Sequence, residues 1–434
     1  MLHDPSHVTP APTTEPIELP PADRAVLREL AERVAQVAAM SVHRDTAALW
    51  TRLNDLDSLR PMVWVNEIPW HEMDVDGELA LRTSHPWARE QETQMRQTLY
   101  QWKHMPADMV VSDFLECPLA LHSSDFGIIE EVDIATTDAA SGIYSRRFHR
   151  QISGPEDIEK IRMPTVTHNE AASRIALETM RDLYEDIMPV RQVGQTHIWF
   201  TPWDYLIRWW GVEEAMVDLV NRPEMVHAAV DRMVDAWMVE LDQFVALNAL
   251  SLDNRNIRVG SGGYGYVSGL PGGDYDPARV RPHNMWGCSN AQIFAQVSPE
   301  MHWQFALEHD LRWLSRWGLT YYGCCEPLHL KMGLLQRVPN LRKVSMSPWV
   351  DLTKAVEAVG DRYIFSFKPN PALLAEDHWR PEAARAHIRQ VLDLAGGRCH
   401  IELIFKDIST VRYQPQRLWE WTAIAQEEAA RCAG

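Results

Sequence analysis

Cysteine is scarce in this chain of 434 residues: Cys117, Cys288, Cys324, Cys325, Cys399 and Cys432 are the only six, with no CxxC pair or zinc-finger spacing among them. That excludes a disulfide framework and a structural zinc module. Basic side chains are also in deficit, 42 against 60 acidic ones, for a net charge of −18. A surface so negative repels phosphate backbones, so nucleic acid is not the expected partner. No apolar run approaches the ~20 residues that cross a bilayer. The opening Met1-Leu-His-Asp-Pro lacks the basic and apolar regions of a secretory signal. The expectation is a cytoplasmic protein without membrane contact. Internal repeats are missing, and no Gly-rich phosphate loop joins a strand to a helix.

Hydrophobic residues, in contrast, make up 46% of the chain, enough to fill a sizeable core. Tryptophan is abundant at 18, with Trp199, Trp203, Trp209, Trp210, Trp313, Trp317, Trp419 and Trp421 close in sequence. Most are expected to pack the core, and a few to line a flat pocket. An acidic, aromatic-rich chain of this kind is compatible with a homodimer.

Residues 1–22 are rich in Pro and Thr and read as a loose leader. Residues 23–58 carry Val26, Leu27, Leu30, Val34 and Val37 at helical spacing. A buried strand follows at Met62-Val-Trp-Val. Residues 85–190 read as elaboration of helices, short strands and polar loops; one strand is expected at Phe126–Ile134, with the Glu130-Glu131 pair on a solvated face.

The second half is more regular. Strands are expected at Leu319–Glu326, Lys343–Pro348, Tyr363–Pro369 and His400–Asp407, each after a helix, at 300–317, 329–337, 352–359 and 381–395. Such alternation implies parallel strands joined by right-handed crossovers. Length and the missing phosphate loop favour a (β/α)8 TIM-type barrel over 23–434, with an N-terminal helical extension and inserted elements, rather than a doubly wound sheet.

In such a barrel the chemistry sits at the C-terminal strand ends. Those ends supply Glu67 to His71, Gly260 to Tyr266, Met285-Trp286-Gly-Cys288, Cys324-Cys325-Glu326, Ser345 to Trp349, Lys368-Pro-Asn370 and Lys406-Asp407. Glu402, an acid within the last apolar strand, needs a partner or solvent. Cys324 and Cys325 with Glu326 are candidates for a zinc site, or alternatively small buried thiols. The Gly-rich segment 259–273 reads as a loop wrapping a substrate or as an ordinary lid. His71, Tyr264, Trp286, Cys288 and Asn370 are candidate substrate contacts.

Motif order resembles the uroporphyrinogen decarboxylase superfamily. The stretches that carry the likeness are Thr201-Pro-Trp-Asp through Glu213-Glu-Ala-Met, Asn221-Arg-Pro-Glu, Met285-Trp-Gly-Cys followed by Val297-Ser-Pro-Glu, and Lys368-Pro-Asn-Pro. They span roughly 190–430. The Arg-rich motif that holds porphyrinogen carboxylates is absent near Met62–Glu72, so the resemblance points to the cobamide-dependent methyltransferase branch. In that branch a His-x-Cys strand and a later Cys hold zinc. Here the histidine is missing from Tyr322-Gly-Cys-Cys-Glu, and the later position shows Glu402, Phe405 and Lys406.

The resemblance implies methyl transfer from a small methoxylated or methylamine-type substrate to a corrinoid. A separate protein would carry that corrinoid, since no DxHxxG motif is present. Zinc or a protonated acid would polarise the leaving heteroatom. Glu326 and Glu402 would be ligands or general acid, with Lys406 and Asp407 orienting the substrate. The alternative is a metal-free decarboxylase or lyase of the same barrel, acting on a small carboxylated substrate through Lys406, Asp407 and a carboxylate.

Overall fold

The fold is described from a computed structural model covering residues 15–136 and 145–432. Its central feature is a parallel sheet of six strands. These are β1 (Met62–Val65), β8 (Trp286–Ser289), β9 (Leu319–Tyr322), β10 (Leu341–Met346), β11 (Ile364–Phe367) and β12 (His400–Phe405). Their order in space is β1-β12-β11-β10-β9-β8. From β8 to β12 each strand lies beside the next in sequence, as short helical crossovers require.

Strand alternation explains what each face carries. Val344 and Met346, Phe365 and Phe367, and Ile401, Leu403 and Phe405 all enter the main apolar core. That core is filled from outside by helices such as Pro381–Ala395 and Gln416–Arg431, which bury Ile388, Val391, Leu392, Leu418, Trp421 and Ile424. The alternate positions, Met62, Ile364 and Ile404, join a small separate cluster with Trp50, Leu53 and Tyr264. Lys343, Ser345, Ser366, Glu402 and Lys406 share this alternation, and all are buried.

The first half completes the surroundings of the sheet. Strands β2 (Leu115–Pro118) and β7 (Val190–Val193) pair in parallel, and Gln195 bridges Leu250 in parallel. Two antiparallel pairs lie among the inserted elements: β3 (Leu121–Ser123) with β6 (Val166–His168), and β4 (Val132–Ala135) with β5 (Ser145–Phe148). The amide of Asp108 donates to Val63 O at 2.9 Å. At the other sheet edge, Trp286 N donates to the Asp253 carboxylate at 3.1 Å.

Several expectations change in detail. The helix read at 23–58 is two, Pro21–Ala38 and Val42–Asn54. The strand read at Phe126–Ile134 shrinks to β4, and Glu130 pairs with the buried Arg208 instead of facing solvent. Helix 300–317 contains a π turn at Trp303–Leu307, between helices Pro299–His302 and Glu308–Leu314. Residues 1–14 of the expected leader lie outside the described residues. No helix among the described residues is long and apolar enough to cross a membrane.

Candidate functional site

Two polar layers lie one above the other, the inner within the strands and the outer past their C-terminal ends. The inner layer begins with register. Lys343 lies beside Tyr321, and Ser345, Ser366 and Glu402 are consecutive neighbours across β10, β11 and β12. All are buried on the face away from the helices, and they find partners in one another or, for Ser345, in Cys324 O at 2.6 Å. Lys343 Nζ donates to Glu402 Oε2 at 2.9 Å, with both side chains fully buried. Burial pushes the Glu402 carboxyl up, but Lys343 and Lys368 outweigh it and hold the group below its usual range.

Lys368 donates to Ser366 Oγ at 2.8 Å, to Ser366 O at 2.9 Å and to the Tyr321 hydroxyl. Desolvation lowers Lys368 to about 7, with Glu402 as the largest opposing influence. Tyr321 OH also lies 3.1 Å from Ser261 Oγ and 3.1 Å from Ser366 Oγ.

The Gly-rich segment closes this layer from the centre. Gly263 N donates to Glu402 Oε1 at 3.2 Å. A Cβ on Gly263 would stand 2.5 Å from the Trp50 ring and 3.0 Å from Glu402 Oε2. At Gly260 the backbone has φ 56°, and a Cβ would stand 2.4 Å from Tyr321. Glycine is needed here for close approach to protein rather than to a ligand.

The outer layer sits at the mouth. Glu67 and Asp407 follow β1 and β12, and both adopt left-handed backbone, φ 52° and 56°. Non-glycine residues in that region store strain that tends to gather at functional sites. Asp407 N donates to Glu67 Oε2 at 3.0 Å, and Arg258 Nη1 donates to Glu67 Oε1 at 2.8 Å. Lys406 Nζ lies 2.7 Å from Asp407 Oδ2, 3.9 Å from Glu67 Oε2 and 3.7 Å from Cys324 Sγ.

Burial pulls the Lys406 ammonium down, yet Cys324, Glu67 and Asp407 together hold it well above its ordinary range. Asp407 is held low against burial, chiefly by Lys406. The Cys324 thiol is lowered, first by the Cys325 thiol 3.6 Å away and then, against burial, by Lys406. Cys325 is exposed and lies 3.7 Å from Asp407 Oδ2.

Glu326, fully buried, accepts from Cys324 N at 2.8 Å and from Ala291 N at 3.2 Å. Burial raises its carboxyl. Its two oxygens therefore hold the loop that presents Cys324. A zinc ion does not suit the residues present. Among the described residues no group of three His, Cys, Asp or Glu is arranged to hold a metal. Glu326 turns to backbone amides, and the neighbour of Cys324 is the cation Lys406.

The family models and the curated proteins contain no match to the chain. Among solved structures it is similar to a methyltransferase from Methanosarcina mazei, at 12% identity and a TM-score of 0.49, covering 88% of this chain and 98% of that one.

Of the residues singled out in the sequence, Cys324, Cys325, Glu326, Lys406 and Asp407 are brought together past the strand ends, whereas Glu402 lies within β12 as the partner of Lys343. Three substrate candidates are enclosed in packing around the inner layer. Tyr264 packs between the rings of Trp50 and Trp64, at 5.4 and 4.7 Å between centroids. Trp286 is fully buried, and its Nε1 donates to Gly265 O at 2.8 Å. Cys288 is a buried thiol pushed up to about 12 by burial, donating to Ile198 O at 3.4 Å. None of the three has surface to offer a substrate. Asn370 makes a local turn, its Oδ1 accepting from Ala372 N at 3.0 Å. His71 stands near the mouth, 3.6 Å from Glu72 and edge-on to Tyr413.

Tyr321, Lys343, Lys368, Arg258 and Glu67 carry much of the site without having been assigned a role in it. The signal for Lys343 and Lys368 was present. Each alternates with apolar residues in a short strand, as Glu402 does, and so belongs to the same buried face. Beside the mouth, a cleft of about 480 Å³ runs between the end of β1 and helix Pro86–His104, lined by Trp64, Asn66, Glu67, Trp70, Gln97 and Gln101. Asn66 is 9% exposed, and among the described residues neither its Oδ1 nor its Nδ2 has a partner. Buried amides without partners are costly, and this one lies where the cleft meets Glu67.

Proposed function

We propose that this chain is a methyltransferase acting on a small methoxylated or methylamine-type substrate, with its site at the C-terminal ends of a (β/α)8 barrel. Closure into a barrel is supported by the contacts at both edges of the six-stranded sheet, to Asp108 and to Asp253, and by the parallel β2-β7 pair. The observation that carries the functional reading is Lys368, a buried ammonium lowered to about 7 and hydrogen-bonded to Tyr321. A group of that acidity both holds and releases a proton at neutral pH.

Loss of a methyl group leaves negative charge on the donor heteroatom, or a neutral amine from an ammonium donor. A proton held on Lys368, which Tyr321 anchors by a hydrogen bond, neutralises that charge in the ether case. Lys406 and Arg258, each paired with a carboxylate beyond the strand ends, are the cations that orient a substrate there. Glu402 remains charged as the partner of Lys343 and sustains the proton on Lys368. Glu326 fixes the Cys324 loop. A corrinoid carried by a separate protein would supply the methyl-accepting metal centre, and no residue of this chain is assigned to hold it.

The test supplies purified chain with 2-methoxyphenol, or with trimethylamine, and chemically reduced cobalamin as surrogate acceptor. Methylcobalamin formation is followed by its absorption spectrum. Turnover with either donor, lost in Lys368→Met, is the expected result. No methylcobalamin with either donor, together with release of carbon dioxide from a small aromatic carboxylate, would replace this reading with the second one. That second reading, a metal-free carboxy-lyase of the same barrel, is favoured by Lys406 and Arg258 converging on Glu67.

A further inference from the structure

Adjacent cysteines rarely bring their sulfurs together, because alternation along an extended chain turns them apart. Here extended pairing ends at Tyr322, and Gly323, at φ 99°, turns the backbone. Cys324 Sγ and Cys325 Sγ consequently lie 3.6 Å apart. The two differ in every respect that matters for sulfur chemistry. Cys324 is 5% exposed and lies 3.7 Å from the Lys406 ammonium. Cys325 is exposed and lies 3.7 Å from a carboxylate oxygen of Asp407. One sulfur is thus placed as the thiolate, and the other as an accessible thiol within its reach.

We propose that Cys324 and Cys325 form a peroxide-sensitive dithiol that closes to a vicinal disulfide at the mouth of the site. Cys324 thiolate attacks one oxygen of hydrogen peroxide. A sulfur–oxygen bond forms, the oxygen–oxygen bond breaks, and the departing hydroxide is protonated to water, with Lys406 the nearest donor. The Cys325 thiol then attacks the sulfenic sulfur of Cys324, its proton passing to the departing hydroxyl. A sulfur–sulfur bond forms, the sulfur–oxygen bond breaks, and a second water leaves. Both sulfurs are oxidised by one peroxide, and the protein loses two hydrogens.

The sulfurs must approach by about 1.5 Å to reach bonding distance. That is within reach of side-chain rotation about an exposed residue. The ring so formed is short and strained, and strained disulfides are the readily reduced, regulatory kind. The other thiols are poorly suited to compete. Cys117 and Cys399 are pushed up to about 11 and Cys288 to about 12, in each case by burial. Cys432, part-buried, is raised as well. Oxidation therefore begins at Cys324, the thiol beside the Lys406 ammonium, with Cys325 the sulfur within reach of it. It takes away one of the negative neighbours of Lys406, leaving Asp407 and Glu67, and so changes the charge pattern beside the strand ends.

The experiment treats the full chain with hydrogen peroxide near equimolar amounts, alkylates it with N-ethylmaleimide and digests it with trypsin. The peptide Trp317–Lys331 contains both residues and no other cysteine. The expected result is that this peptide becomes two hydrogens lighter and carries no maleimide, while dithiothreitol restores two reactive thiols. In Cys325→Ser the reaction stops at Cys324 as a sulfenic acid trapped by dimedone. In Cys324→Ser the peptide keeps its single free thiol. Two maleimides on this peptide while other cysteines have oxidised would overturn the proposal. Dimedone labelling of Cys325 in place of Cys324 would do the same. The readout is mass, so its outcome is independent of whether the chain transfers methyl groups.

Discussion

Replacing Glu402 by Gln should destabilise the protein by about 3–5 kcal/mol, the range found when one partner of a buried ion pair is removed. Lys343 Nζ and Glu402 Oε2 are 2.9 Å apart, with neither side chain exposed. At an effective dielectric near 20, the attraction is about 6 kcal/mol. Desolvation of the two ions offsets much of it. The loss on single substitution therefore reflects the stranded ammonium of Lys343, whose remaining partner is Tyr264 O at 3.3 Å. Gln at 402 still accepts from Gly263 N, so packing is preserved. Removing the stranded charge as well, in Lys343→Met/Glu402→Gln, should return stability to within about 1–2 kcal/mol of the parent. The assay is equilibrium urea unfolding, followed by tryptophan fluorescence and far-ultraviolet circular dichroism with coincident transitions required. A cost under about 1 kcal/mol for Glu402→Gln would refute the reasoning. A double variant as damaged as the sum of its singles would refute it too.

The same substitution should move the pH profile of turnover. Glu402 is the largest influence raising Lys368, so its loss lowers that group further below about 7 and brings the alkaline fall in kcat/KM to lower pH. An unchanged profile in Glu402→Gln would separate Lys368 from the proton step. A third outcome concerns Asp310, which burial raises from 3.8 to about 7 with only Ser289 donating to it, at 2.7 Å. The folded chain keeps a proton there that the unfolded chain releases above 3.8, so stability should fall between those pH values and level off above about 7. Asp310→Asn should flatten that fall and stabilise the protein at pH 8 by up to about 4 kcal/mol; thermal midpoints across pH 4 to 8, within this order of magnitude, would read it. Finally, Gly263→Ala should lower the thermal midpoint sharply, because its Cβ would meet the Trp50 ring at 2.5 Å. A neutral result there would mean that the segment 259–265 moves freely against Trp50.

Much of the sheet was legible because strands declare themselves locally. The strands at Leu341–Met346, Ile364–Phe367 and His400–Phe405 are short, the last two rich in branched and aromatic residues, and are separated by segments of helical spacing. Helices at 352–359 and 381–395 lie where periodicity puts them, since an Asp351 cap and apolar stripes act within a few residues. The chemistry-bearing residues at the strand ends were also legible, because parallel strands all finish on one side.

Only tertiary structure decided which of those residues belong together. Tyr264 and Glu402 are far apart in sequence, yet both depend on Lys343, and that follows from strand register rather than from any motif. Cys324 and Glu326 suggest metal ligands as a string of letters. In space the carboxylate turns to the amides of Cys324 and Ala291, and an ammonium stands by the thiol. The glycines of 260–263 gave no hint of whether they approach a ligand or a neighbour, since a missing side chain records only that something comes close. That something is Tyr321, Trp50 and Glu402. Sequence fixes the local preferences of the chain, whereas a buried charge takes its meaning from the partners that folding brings within hydrogen-bonding distance.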